Sequence, residues 1–147
     1  MAKFHYKFRS VEKVKESFEK IAQKELAEAE IAIERKQDEI HATRLMKLEA
    51  MAGFPDTAGR ISVIFIRQSA KLVEYYDALI VTLEKELAEL IKHRDLKQEE
   101  LVQKMKERKI FGALKEKHKE EFFAEEGKTF QKDMDEIGLN LFRRGKT

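Results

Sequence analysis

Residues 11 to 52 contain neither glycine nor proline, and that limits the chain more than any other feature. A run of this length, filled mostly with Glu, Lys, Gln, Ala and Leu, is strong helix-forming material. Within it Val11, Val14, Phe18 and Ile21 recur at heptad spacing. The apolar row resumes, displaced by one residue, as Leu26, Ala29, Ile33 and Ile40, and Leu45, Leu48 and Met51 continue the apolar side. A displacement of this kind locally changes a supercoil without ending the helix. Ser10 is the expected N-cap, with Lys13 standing where a capping box would place Glu or Gln. At about 1.5 Å per residue the expected helix, about 10–52, is roughly 60 Å long.

The first punctuation is Gly53-Phe54-Pro55-Asp56-Thr57-Ala58-Gly59, which holds the only proline in the chain and predicts a turn over 53–59. After it, Ile61, Phe65, Leu72, Tyr76, Leu79, Leu83, Leu87 and Leu90 step by threes and fours, predicting a second helix over about 60–122. Beyond Leu90 the row turns polar, with Arg94 and Lys97 ahead of Leu101 and Met105, so this end is expected to be the less stable one. Two amphipathic helices joined by a short turn bury their rows on each other. The expected fold is therefore all-α, a long antiparallel two-helix coiled-coil hairpin forming a single domain over residues 1–147. Pairing about the turn places Val11 opposite residue 100. The C-terminal tail to residue 147, with Gly112, Gly127, Gly138 and Gly145 in or near it, is expected to fray or to order on a partner.

Composition supports this class and removes others. Charged residues make up 39% of the chain, against about 25% in an average protein, yet 30 basic and 28 acidic side chains leave a net charge of only +2. Small net charge with periodic Leu, Ile, Val and Phe argues against disorder. With no cysteine, the chain has no disulfide framework, thiolate metal site or cysteine nucleophile, which fits a reducing compartment. The opening Met1-Ala2-Lys3-Phe4-His5-Tyr6-Lys7-Phe8-Arg9 lacks the apolar stretch of a signal peptide. The longest apolar run, Val63-Ile64-Phe65-Ile66, falls far short of the ~20 residues of a membrane span. A soluble protein is expected, with no direct membrane insertion.

Site chemistry is sparse. Asp38 with His41 and Glu89 with His93 are carboxylate–imidazole pairs at helical spacing, short of the two Glu-x-x-His motifs and extra carboxylates of a di-iron bundle. Gly127-Lys128-Thr129 and Gly145-Lys146-Thr147 resemble the end of a phosphate-binding loop, but Phe122 and Asn140 stand where its first glycine is required. No enzyme activity, catalytic residue, metal or cofactor is expected. From Lys104 to Lys119 seven basic residues outnumber two glutamates, a local charge that would attract nucleic acid. The basic region of a bZIP reader precedes its zipper, however, and here it follows one, with Glu120, Glu121, Glu125 and Glu126 next. An acidic protein partner or a solvated face is the preferred reading. Phe4, Tyr6 and Phe8 at the start, and Phe111, Phe122, Phe123, Phe130 and Phe142 near the end, either pack locally or anchor a partner.

Three stretches, in order, resemble the family of the flagellar export protein FliJ. Phe8-Arg9-Ser10-Val11-Glu12-Lys13-Val14-Lys15-Glu16 is similar to its opening. Tyr76-Asp77-Ala78-Leu79-Ile80-Val81-Thr82-Leu83-Glu84-Lys85 is similar to its Tyr-x-x-Phe/Leu-Ile-x-x-Leu-Glu-Lys pattern after the turn. Gln131-Lys132-Asp133-Met134-Asp135-Glu136-Ile137-Gly138 with Phe142-Arg143-Arg144 is similar to its closing signature. Gly138 departs from the usual Ala, and Asn140-Leu141 stand before Phe142 where Arg is common.

The resemblance implies a component of the bacterial flagellar type III export apparatus, built like the central stalk of rotary ATPases. It implies partners: the ring of the export ATPase, whose assembly or activity such a stalk promotes, the cytoplasmic part of the export-gate membrane protein, and export chaperones. It implies a chain that is monomeric when free, cytoplasmic, and peripheral at the inner face of the cell membrane through the apparatus. On the residues, the resemblance points to gate contacts at Tyr76, Leu79 and Leu83, which also lie on the inferred seam. It points to ATPase contacts at the two ends: Phe8 and Val11, with Met134, Ile137, Phe142 and Arg143. The alternatives are a nucleic-acid-binding coiled coil and a stalk subunit of another secretion system or rotary ATPase.

Overall fold

The computed structural model describes residues 2–52 and 63–145. Two elements occur among them, both helices: α1, Arg9–Ala52, and α2, Val63–Gly145. The turn expected at 53–59 and the expected start of the second helix, Ile61 included, lie outside the described residues. Contacts group the chain into two units, residues 1–20 with 103–147, and residues 21–102. The two helices supply both.

In the unit of residues 21–102 the helices run antiparallel. Ion pairs cross between them from Glu25 to Lys97 at 3.2 Å, Lys36 to Glu86 at 2.7 Å, Arg44 to Glu84 at 2.9 Å and Lys47 to Asp77 at 2.5 Å. The seam is apolar where it is deepest: Ala22, Ala29, Ile33 and Ile40 of α1 and Leu83 of α2 are buried. Leu26, Leu87, Leu90 and Leu101 are half-buried beside them, as their periodicity predicted. Thr43 is also buried, its hydroxyl donating to the Glu39 carbonyl at 2.8 Å, so a polar seam residue is satisfied within its own helix. Arg94 and Lys97 do occupy seam positions, half-buried, and Lys97 is held by Glu25 and Glu100. Leu45, Leu48 and Met51 do not: they are exposed, and Thr43, Lys47 and Ala50 are the covered residues of that turn.

The unit of residues 1–20 and 103–147 corrects the reading of the first helix. Val11, Val14 and Phe18 are 38%, 47% and 44% exposed. The covered row is Phe8, Glu12, Lys15 and Glu19, which continues the spacing of Ala22, Leu26, Ala29, Ile33, Ile40 and Thr43 without displacement. Ile21 is likewise exposed. The expected shift of register does not exist. Its apparent cause was chemical: the seam positions of the first turns carry charged side chains, while apolar ones line the flank. The pairing also differs, because Glu12 meets Lys115 at 3.6 Å and Lys15 meets Glu107 at 3.2 Å, so residue 100 is not opposite this end of α1.

Both ends of the elements differ from expectation. The Phe8 carbonyl accepts from the Glu12 amide at 2.9 Å, and the Tyr6 carbonyl from the Arg9 amide at 3.2 Å. Phe8, held by its ring contacts, thus occupies the cap position, and Ser10 lies inside the first turn. The second helix does not stop near 122 but continues to Gly145. Helix-favouring Glu, Lys, Gln, Met and Leu surround Gly127 and Gly138, and two isolated glycines, each costing about 1 kcal/mol, do not end a helix so composed.

Candidate functional site

An aromatic cluster closes the N-terminal end of the first unit. The segment before α1 alternates its side chains, and Phe4, Tyr6 and Phe8 all turn onto α2. Phe4 packs at 5.6 Å against Phe122, Phe8 meets Phe111 at 6.4 Å, and the His118 ring lies 6.0 Å from Tyr6 and 6.1 Å from Phe8. These are tilted and edge-on geometries, the ones favoured by ring quadrupoles. The Tyr6 hydroxyl donates to the Phe111 carbonyl at 2.9 Å. Burial pushes the Tyr6 phenol above its ordinary value, and the Glu12 carboxylate adds to the shift. Six of the aromatic residues singled out from sequence therefore pack on one another, Phe123 through its edge-on contact with Phe122 at 5.5 Å. Phe8, a candidate ATPase contact, is half-buried in this cluster.

Next to the cluster the seam is ionic. Glu19 is buried and takes its hydrogen bond from the Arg108 guanidinium, and the Glu12–Lys115 and Lys15–Glu107 pairs flank it. Paired charges at the centre of a helix–helix contact fix register better than they stabilise, because desolvation offsets much of the attraction. Sequence reasoning missed all six residues. The signal was present: Glu12, Lys15 and Glu19 stand at the heptad positions obtained by extending Ala22 and Leu26 backwards. The basic run from Lys104 to Lys119 is partly explained by the same geometry, since Arg108 and Lys115 are engaged across the seam.

Two further surfaces carry the other residues singled out from sequence. From Phe123 to Gly145 every residue except Glu126 is exposed. Phe123, Phe130, Met134, Ile137 and Leu141 repeat there at heptad spacing, with Phe130 at 66% exposure. Met134, Ile137, Phe142 and Arg143 are all exposed on this helix, Met134 and Ile137 within the row and Phe142 and Arg143 outside it, whereas Phe8 lies in the aromatic cluster. Val11 is exposed, on the flank of α1.

In the second unit Leu83 is only 3% exposed and belongs to the seam. Tyr76 and Leu79 are half-buried. A shallow groove beside them is lined by Leu48, Met51, Ile80 and Val81 and edged by Lys47 and Asp77. Lys36 and Lys97 are held above the ordinary lysine range, Lys36 by the hydrogen bonds it donates to Glu86 and Glu39, Lys97 by those it donates to Glu25 and Glu100. Among the described residues there is no group of three or more metal-ligating side chains, and His41 and His93 are exposed. No helix of the described residues is long and apolar enough to cross a membrane.

Antiparallel helices joined by ion pairs across their seam, with apolar rows exposed outside it, define an all-α coiled-coil protein. The profile of the flagellar FliJ protein family matches residues 4–147, nearly the whole chain. The chain belongs to that family, as its three ordered motifs implied, and is a component of the flagellar export apparatus. No curated protein and no solved structure matches it.

Proposed function

We propose that this chain is a non-enzymatic stalk of the type III export apparatus that binds the export ATPase ring and promotes its assembly or activity. The observation that carries the reading is the family match over residues 4–147 on a helical hairpin whose last turns expose a heptad row. That row suits insertion into a ring, because an apolar helix in water gains by being covered. The C-terminal contacts are Met134, Ile137, Phe142 and Arg143. Val11 meets the ring from the N-terminal end, and Phe8 supports it by fixing the start of α1. Tyr76 and Leu79 face the cytoplasmic part of the export gate, with Leu83 holding them in place from the seam. Export chaperones are the third class of partner. The chain works in the cytoplasm, at the inner face of the membrane through the apparatus, and is monomeric when free.

Co-sedimentation with the cognate ATPase ring tests the contact. The full chain is expected to sediment with the ring, and a chain lacking residues 128–147 to remain in the supernatant while keeping most of its helical circular dichroism. Equal sedimentation of both would remove the role given to the C-terminal turns.

A further inference from the structure

The flank of the first unit carries an apolar face that the seam does not use. Val11, Val14 and Phe18 step along α1 by three and four residues and are all exposed. Lys15 bonds Glu107 and the Lys104 ammonium lies 5.4 Å over the Phe18 ring, which identifies the side of α2 adjoining this strip. Ile110 and Leu114 follow Glu107 by three and seven residues, so they rise on that same side; Ile110 is exposed and Leu114 half-buried. Apolar residues from both helices thus border one groove, the geometry that receives a third helix in a bundle.

Charge decides which helix fits. Glu107 is already bonded to Lys15. Lys104 reaches it only at 3.9 Å, and Lys106 and Lys117, four before and seven after Ile110 and so on its side of α2, make no ion pair among the described residues. The groove therefore offers apolar contact beside unneutralised cations. We propose that it docks one amphipathic helix of a partner protein, with apolar residues at three- and four-residue steps and Glu or Asp along its flank. Part of this surface, Val11, is also assigned to the ATPase above, and to that extent the inference rests on that reading.

The test uses the full chain and two synthetic helical peptides of about 20 residues, alike in their leucine row, one flanked by glutamate and the other by lysine. Fluorescence anisotropy at about 0.05 M salt is expected to show the glutamate peptide binding at least about tenfold more tightly. A Val14→Ser, Phe18→Ser chain should lose that binding by about tenfold or more, with its thermal melt nearly unchanged because both residues stand outside the seam. A Lys106→Glu, Lys117→Glu chain should shift its preference toward the lysine peptide. Equal affinity for both peptides overturns the proposal, as does unchanged binding by the serine variant. Sedimentation showing that the face instead joins two copies of the chain, through a dimer lost in the serine variant, overturns it equally. The assay contains no ATPase, so a chain that binds the peptide but leaves the ring unaffected would sink the proposed function and spare this surface.

Discussion

Leu83 and Val81 lie two residues apart on α2 and illustrate how position outweighs residue type. Leu83 is 3% exposed in the seam, whereas Val81 lines the open groove beside Leu48. Leu83→Ala should therefore lower stability by about 2–5 kcal/mol, the range for a buried leucine that leaves a cavity. Val81→Ala should cost less than about 1 kcal/mol. Paired urea melts would check this, and equal costs would place Leu83 outside the core. Gly138 gives the opposite case. A Cβ at that position meets nothing within 4 Å, so Ala fits the helix without strain. Gly138→Ala should stabilise the local helix by about 0.5–1 kcal/mol, seen as slower amide exchange in residues 130–145. Unchanged exchange would contradict the account of that stretch as a marginal helix.

At the scale of the element, the two seams differ in chemistry. In the unit of residues 21–102 the seam is built largely from Ala, Leu and Ile. In the other, Glu12, Lys15 and Glu19 face Lys115, Glu107 and Arg108. Glu19→Ala should destabilise this unit by an amount between the ~1 kcal/mol of an exposed pair and the ~3 kcal/mol of a buried one, since Glu19 is buried and Arg108 is not. Replacing Glu19 and Arg108 together by leucine should recover most of the loss. A double variant as unstable as the single would show that the pair acts through something other than desolvated charge.

Alkaline pH should weaken both seams. Lys36 and Lys97 are held above their ordinary 10.5 by glutamate partners, and Tyr6 above its ordinary 10.0 by burial. For each group the folded value exceeds the unfolded one, so the stabilisation is complete below about pH 10 and is lost as pH rises past it. Thermal melts should accordingly fall between about pH 10 and 12, and a flat profile there would contradict these assignments. The lower seam of α1 explains what the sequence could and could not disclose. Ile33, Ile40 and Leu83 were legible because apolar periodicity and burial coincide there. Val11, Val14 and Phe18 misled because hydropathy treats a carboxylate as outward-facing, and only the facing Arg108 and Lys115 show why Glu19 and Glu12 lie inward. The long reach of α2 was obscured for a related reason: glycines at 127 and 138 suggest a break, but the helix-favouring residues around them carry the helix through to Gly145.

For the molecule as a whole, family and fold point the same way. The antiparallel helices were legible from periodicity, and membership of the FliJ family from three motifs in order. The candidate contacts were legible only in part. Met134, Ile137, Phe142 and Arg143 do stand on the surface, while Phe8 is half-buried among aromatic neighbours and Leu83 is enclosed. An isolated sequence row cannot distinguish a surface that waits for a partner from one that its own chain covers. The central claim is that this chain acts on the export ATPase, and its most direct test is the rate of ATP hydrolysis by the cognate ATPase with and without the full chain. The account predicts a higher rate at stoichiometric chain, lost when residues 128–147 are removed. An unchanged rate, with no chain bound to the ring, would contradict it.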